Sequence, residues 1–174
     1  ATGDRVLVLE DTVELQCAAR DHVPLRTRAG VVSMTELVRS SMRLRPDRVV
    51  VGEVRGAEAL DLIKVWGTGH PGGIATIHAG SALGALLRLE QLILEVAVNP
   101  HRALIAEAVN VVIHITGRGR KRRIESIARV VGFDGVGYRL ADALETPFPE
   151  LPLFPEAAPA AATSPSPDQP GELP

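Results

Sequence analysis

One cysteine, two lysines, one tryptophan, one tyrosine and three phenylalanines are all that 174 residues hold of these types. A single Cys17 excludes an intrachain disulfide and fits a reducing compartment. So few aromatic rings leave valine, leucine, isoleucine and alanine to fill any core. Both lysines are misplaced for a phosphate loop of the form G-x-x-x-x-G-K-[ST], because Lys64 follows Ile63 and Lys121 follows Arg120. No apolar run approaches the roughly 20 residues of a membrane span, and no signal-peptide pattern opens the chain. A net charge of −2 removes any general electrostatic case for nucleic acid or an anionic membrane.

What remains is ordinary for a globular protein: 45% apolar and 23% charged residues, over a length that supports one domain with a real core. Ala1 is not a methionine and a strand begins almost at once, as expected of the C-terminal part of a longer protein. Arg5 to Leu9 is a near-continuous apolar run, the pattern of a strand buried in a parallel sheet. Ser33-Met34-Thr35-Glu36 has capping-box spacing and opens a helix with Met34, Leu37, Val38 and Met42 on one face; Pro46 ends it. Val49–Val51 is a second strand, Ala57–Trp66 a helix stopped by Gly67 and Gly69, and Ile74–His78 a third strand. Ser81 caps a long helix whose apolar side is expected to carry Leu83, Leu86, Leu87, Leu94 and Ala97, and Pro100 starts a shorter helix ending near Ala108.

From Val111 the pattern becomes antiparallel. Val111–Thr116 and Ile124–Phe133 flank a basic turn, Gly117–Arg123, and Asp134-Gly135 turns the chain into Tyr138–Leu140. The class is therefore α/β with a small antiparallel ending. Residues 1–145 read as one domain. Nine of the thirteen prolines lie from Thr146 onward, so 146–174 read as a disordered tail that cannot bury enough apolar surface to offset its ordering entropy.

The chemistry gathers at strand ends. The first strand delivers Glu10 and Asp11, with Glu14 just beyond; the second delivers Glu53 and Arg55; the third delivers His78. Open α/β sheets bind ligands outside the carboxyl ends of their strands, so three such ends describe one crevice if the strands are neighbours. Glu10, Asp11 and Glu14 offer oxygen ligands suited to Mg²⁺ and its waters. Glu53 is placed to orient or deprotonate a water, Arg55 to pair with a carboxylate, and His78 to stabilise phosphate charge. Each feature alone also has a plain reading. An acidic cluster can be a polar loop or a helix cap, Glu53 and Arg55 a solvated ion pair, and His78 a core histidine sharing a strand face with Thr76 and Ile74. His70 and His78 lack a third His or Cys at ligand spacing, which argues against zinc. The basic turn could meet phosphate, RNA or a membrane, but it carries no interleaved aromatics and reads first as a solvated turn.

Taken together, Leu9 to Leu15, Arg45 to Gly56 and Thr68 to Ser81 resemble the Asp box, Walker B segment and His box of the secretion and traffic ATPases. These are the hexameric P-loop NTPases of type II and type IV secretion, pili and conjugation. The resemblance runs from about residue 4 to residue 142, and the conjugative-transfer members look most alike. It implies a RecA-like core that lacks its P-loop strand and helix in this chain. It implies ATP and Mg²⁺ as cofactors, with Glu53 activating water, Glu10 and Glu14 around the metal, Asp11 toward the cofactor and His78 facing the γ-phosphate. His70 and Arg55 would support the site. Gly52 stands where a classical Walker B has an aspartate, which leaves metal binding to the Asp box. The implied setting is a homo-hexamer docked on inner-membrane secretion or conjugation machinery, cytoplasmic and peripheral to the membrane, with no sequence-specific nucleic-acid binding. Type II secretion or type IV pilus motors, and a non-catalytic oligomerisation module, are the alternatives.

Overall fold

A computed structural model describes residues 3–70 and 72–143, so the tail reading over 146–174 lies outside the described residues. Four parallel strands form the main sheet: β1 (Arg5–Glu10), β2 (Asp21–Arg26), β3 (Arg48–Val51) and β4 (Ile74–Ala75), in the order β2-β1-β3-β4. Leu7 pairs with Val49 and Leu9 with Val51 across β1 and β3. These four side chains are buried and join one core with α1 (Met34–Ser41), α2 (Glu58–Gly67), α3 (Ala82–Leu94) and α4 (Arg102–Ala108). Leu62, Ile63, Leu86, Leu92, Ile93 and Ile105 supply the helical side of that core. A second sheet, β5 (Val111–Thr116), β6 (Arg123–Phe133) and β7 (Tyr138–Asp142), is antiparallel throughout, and Val130 joins it to the same core.

Local chemistry explains the helix boundaries. Ser33 and Glu36 form the reciprocal capping box, the Ser33 hydroxyl accepting from the Glu36 amide and the Glu36 carboxylate accepting from the Ser33 amide. That carboxyl is held below its ordinary range chiefly by the Ser33 backbone bond. α1 passes into a single 3₁₀ turn, Met42–Leu44, and Arg45 takes a left-handed conformation at φ 52° before Pro46. Ser81 caps α3 by accepting from the Gly84 amide at 2.9 Å.

Three elements differ from the sequence pattern. β2 was not visible in it, because Asp-His-Val-Pro-Leu-Arg carries a proline and only two apolar positions of a strand pattern, Val23 and Leu25. It stands at the sheet edge, where a missing amide is tolerated. β4 stops at Ala75 rather than His78. β3 itself ends at Val51, so only two residue pairs form the ladder; at the opposite end the Trp66 indole donates to the Val49 carbonyl at 3.2 Å. On α3 the buried face carries Ala82, Ala85, Leu86, Leu89, Leu92 and Ile93, whereas Leu83, Leu87 and Leu94 are 44%, 45% and 49% exposed. The helix is apolar almost all round, so periodicity alone could not choose the face; the small Ala82 and Ala85 lie on the one that packs.

Trp66 also explains the glycine pair before β4. A Cβ on Gly73 would overlap the indole, and one on Gly72, at φ 80°, would overlap the Arg48 guanidinium. In the hairpin β6–β7, Asp134 accepts from the amides of Val136 and Gly137 and from Arg139. Those bonds, Gly137 first, pull its carboxyl from 3.8 down to about 2. The hairpin is tied to the helices by Arg102, which pairs with the buried Glu90 at 3.0 Å and lies over the Phe133 ring. Burial first, and the neighbouring Glu90 carboxylate second, push the Tyr138 phenol up. The basic turn is solvated, and Arg118, Arg120, Lys121 and Arg122 have no ion-pair partner among the described residues. No helix of the described residues is long and apolar enough to cross a membrane.

Two outcomes follow. Gly73→Ala should destabilise the fold by about 1–3 kcal/mol by overpacking. Denaturant unfolding of a double-mutant cycle with Trp66→Ala should show strong non-additivity, and additive costs would contradict the contact. Because its folded pKa is depressed, Asp134 stabilises the hairpin fully above its ordinary 3.8, and that contribution is lost as pH falls toward about 2. An NMR titration of this carboxyl should show a midpoint near the lower value; one near 3.8 would rule the clasp out.

Candidate active site

The parallel order β1-β3-β4 sets the ends of three neighbouring strands side by side. From the end of β1 comes Asp11, from the turn after β3 come Glu53 and Arg55, and from the extended segment after β4 comes His78. The last two paths are kept adjacent beyond the ladder, because the Val54 amide donates to the Thr76 carbonyl at 2.9 Å and the Thr76 hydroxyl donates to the Gly52 carbonyl at 2.6 Å.

A continuous polar chain results. Thr27 donates to Asp11 at 2.6 Å, and Arg55 Nη2 meets the other Asp11 oxygen at 2.5 Å. Arg55 Nε lies 3.2 Å from Glu53 Oε2, and His78 Nε2 lies 3.2 Å from Glu53 Oε1. Both oxygens of Glu53 are therefore engaged, one by Arg55 from its own turn and one by His78 from the path after β4. Glu53 is 26% exposed at its side chain and His78 is 96% exposed. Contacts this open contribute little to stability, under about 1 kcal/mol each. Their consequence is positional: a carboxylate is held at the lip of the crevice beside a histidine free to move. The core placement considered for His78 from strand alternation does not occur, since the strand has ended before it.

The remaining candidates sit differently. Glu10 is buried at the end of β1, and its Oε1 accepts from the amides of Glu14 and Leu15 at 2.9 and 2.8 Å. It shapes the turn that carries Asp11. A Cβ on Gly52 would lie 3.4 Å from Glu10 Cγ, so the two strand ends touch here. Glu14 contributes its amide to that turn, and its exposed carboxylate has no partner among the described residues. His70 precedes β4, at the end of that strand opposite His78; its Nδ1 is buried with no hydrogen-bond partner. It is not drawn into the polar chain.

Two residues that the motifs did not single out belong to the site. Thr27, just after β2, fixes Asp11. Glu58, the first residue of α2, is buried and accepts from the amides of Arg55 and Gly56 at 2.7 and 2.9 Å. An acidic residue in a first helical turn, behind an Ala57 that offers no capping oxygen, was the available signal for Glu58.

No group of three or more His, Cys, Asp or Glu among the described residues could hold a metal ion unaided. Mg²⁺ bound with a nucleotide takes only one or two carboxylates and draws its other ligands from phosphates and water. The second Glu10 oxygen and the unpartnered Glu14 carboxylate, on one short turn, are hard donors of the right kind.

Residues 1–127 match the family described as type II/IV secretion system protein. The chain is 47% identical over 139 residues to the conjugal transfer protein TrbB of Rhizobium radiobacter, and 49% identical over 140 residues to a probable TrbB of Sinorhizobium fredii. Each alignment covers 80% of this chain and 43% of the relative, so the chain spans less than half the length of the relatives it matches. Among solved structures it resembles the VirB11 ATPase of the Brucella suis type IV secretion system, determined in complex with sulphate. The TM-score is 0.65 at 32% identity, over 72% of this chain and 40% of that one. The RecA-like α/β architecture is shared with that structure. With a family match over most of its length and close to half its aligned residues identical to two conjugal transfer proteins, the chain belongs to the type II/IV secretion system protein family.

Proposed function

We propose that this chain is the hydrolysis-side part of an ATP-driven motor subunit serving conjugative transfer or type IV secretion, in which ATP hydrolysis is coupled to substrate transport or pilus assembly. The observation that carries the reading is Glu53, held at the end of β3 between Arg55 and His78 with Asp11 behind Arg55. Phosphoryl transfer asks little covalent chemistry of a protein and much positioning. Glu53 orients the attacking water and takes its proton. In the present arrangement Oε1 is occupied by His78; a γ-phosphate that attracts the exposed His78 frees that oxygen for the water. Arg55, anchored by Asp11, keeps the other oxygen fixed.

Mg²⁺, when bound with the nucleotide, neutralises phosphate charge, and Glu10 and Glu14 are the residues that would hold it, with Asp11 beside the cofactor. Glu10 serves twice in this reading, since its other oxygen already fixes the turn. In this reading the phosphate-binding loop lies outside this chain. The assembly is a homo-hexamer acting on inner-membrane secretion machinery at the cytoplasmic face, with peripheral membrane contact and no sequence-specific nucleic-acid binding. Within it, a role for His70 in hydrolysis requires a neighbouring subunit, because its own chain leaves it at the far end of β4.

Two measurements test this. Phosphate-loop amides and lysine supply much of the phosphate contact in such sites, so a nucleotide titration of the chain alone should show no micromolar affinity; tight ATP binding would refute the division of labour. In the full-length parent, Glu53→Gln should lower kcat by about 10²–10⁴-fold and leave nucleotide binding intact. Unchanged turnover would remove Glu53 from the chemistry, and an inactive wild-type parent would favour a non-catalytic oligomerisation module.

A further inference from the structure

We propose that Glu58 is a positioning residue for the hydrolysis site, setting Arg55 and through it Glu53; the inference rests on the ATPase reading above. Helix α2 starts without an ordinary cap. Ala57 at the N-cap has no side-chain oxygen, and the first helical carbonyl bond runs from the Ala59 amide to the Gly56 carbonyl at 3.1 Å. A carboxylate in this first turn would be expected to complement the helix dipole or face solvent. Glu58 instead turns backward. Its Oε1 receives the Arg55 amide at 2.7 Å and the Gly56 amide at 2.9 Å, both outside the helix, and the residue is 7% exposed.

Such a bond pair fixes two successive peptide planes. A buried carboxylate needs donors, and two backbone amides at the positive end of a helix supply them. The turn from Gly52 to Ala57 has few other supports among the described residues: the Gly52 amide on the Leu9 carbonyl, the Val54 amide on Thr76 and the Thr76 hydroxyl on Gly52. None of these reaches Arg55. The Arg55 guanidinium bridges Asp11, just after β1, and Glu53, beyond the end of β3, at 2.5 and 3.2 Å, and holding its backbone in place limits the positions from which that fork can reach both. Glu58 supplies that hold while touching neither Glu53 nor any reacting atom. Gly56 shares in the arrangement, since a Cβ there would lie 3.4 Å from Glu58 Oε2.

Geometry and charge can be separated by three substitutions. Gln keeps an acceptor oxygen at the same reach. Asp is one methylene too short, and Ala removes the acceptor. In the full-length parent, Glu58→Ala and Glu58→Asp should each lower kcat on the order of tenfold to a hundredfold with KM for ATP little changed, as expected for a misplaced catalytic group. Glu58→Gln should restore most of the activity. Hydrogen exchange measured by mass spectrometry on the same proteins should show faster exchange of the segment 53–57 in the Ala variant, with residues 60–66 of α2 as protected as in the wild type. Full activity in Glu58→Ala, Gln as damaging as Ala, or exchange rising equally along α2 would each overturn the proposal, the last by reducing Glu58 to a helix cap. Should the wild-type parent prove inactive, the ATPase reading fails by itself, while unchanged exchange at 53–57 would still dismiss the role given to Glu58.

Discussion

The parallel pairing of β1 with β3 is the constraint on which the rest of this structure depends. Leu7 against Val49 and Leu9 against Val51 put four buried aliphatic side chains in one register. A slip of either strand by one residue would turn its two buried side chains to the other sheet face. The same register decides where the strands stop, and so where Asp11 stands relative to Arg55. An ion pair between residues 44 apart in sequence is thus fixed by burial several residues away, with no strong interaction of its own. The apolar core supplies the free energy, and the polar chain at its edge inherits the geometry.

The two ends of the sheet treat charge differently. At the amino ends, Arg5 pairs with Asp21 and donates its amide to the Asp47 carboxylate, and Arg48 pairs with Asp4. These links join the starts of β1, β2 and β3 and the residues just before them. At the carboxyl ends the charged groups are tied to one another in a line that finishes at an almost fully exposed histidine. One stretch, Arg45 to Gly56, therefore serves both ends: Asp47 and Arg48 fasten the base of the sheet, and Glu53 and Arg55 arm its top.

Much of this was legible in the residues themselves. Continuous apolar runs announce β1 and β3, the Ser33–Glu36 spacing announces α1, and Gly67 marks the end of α2, because burial on both faces and cap chemistry leave local signatures. The convergence of Asp11, Glu53, Arg55 and His78 followed once those strands were taken as neighbours. What stayed hidden depends on contacts distant in sequence. β2 contains Pro24 and is admitted only because it ends as an edge strand. The length of β4 is limited by its partner β3, which ends at Val51. The packed face of α3 is chosen by the sheet it meets, and Glu58 acquires its partners only when the turn before α2 folds back onto it. Glu10 looked like a ligand in sequence, and in the fold half of its carboxylate is committed to the turn after β1.

That commitment bears on how such a site can be switched. Glu53 has both oxygens engaged, yet the two bonds are unequal in what they cost to break. Arg55 is restrained three ways, by Asp11 and Glu53 at its guanidinium and by Glu58 at its amide. His78 is restrained by Glu53 alone and is otherwise in solvent. In the proposed function, an incoming phosphate would draw His78 away more readily than Arg55. Release of His78 would expose one oxygen of Glu53 while the other stays aligned, coupling the presence of the phosphate to the readiness of the base. In the proposed function, this asymmetry keeps the carboxylate occupied until the group it must act upon has arrived.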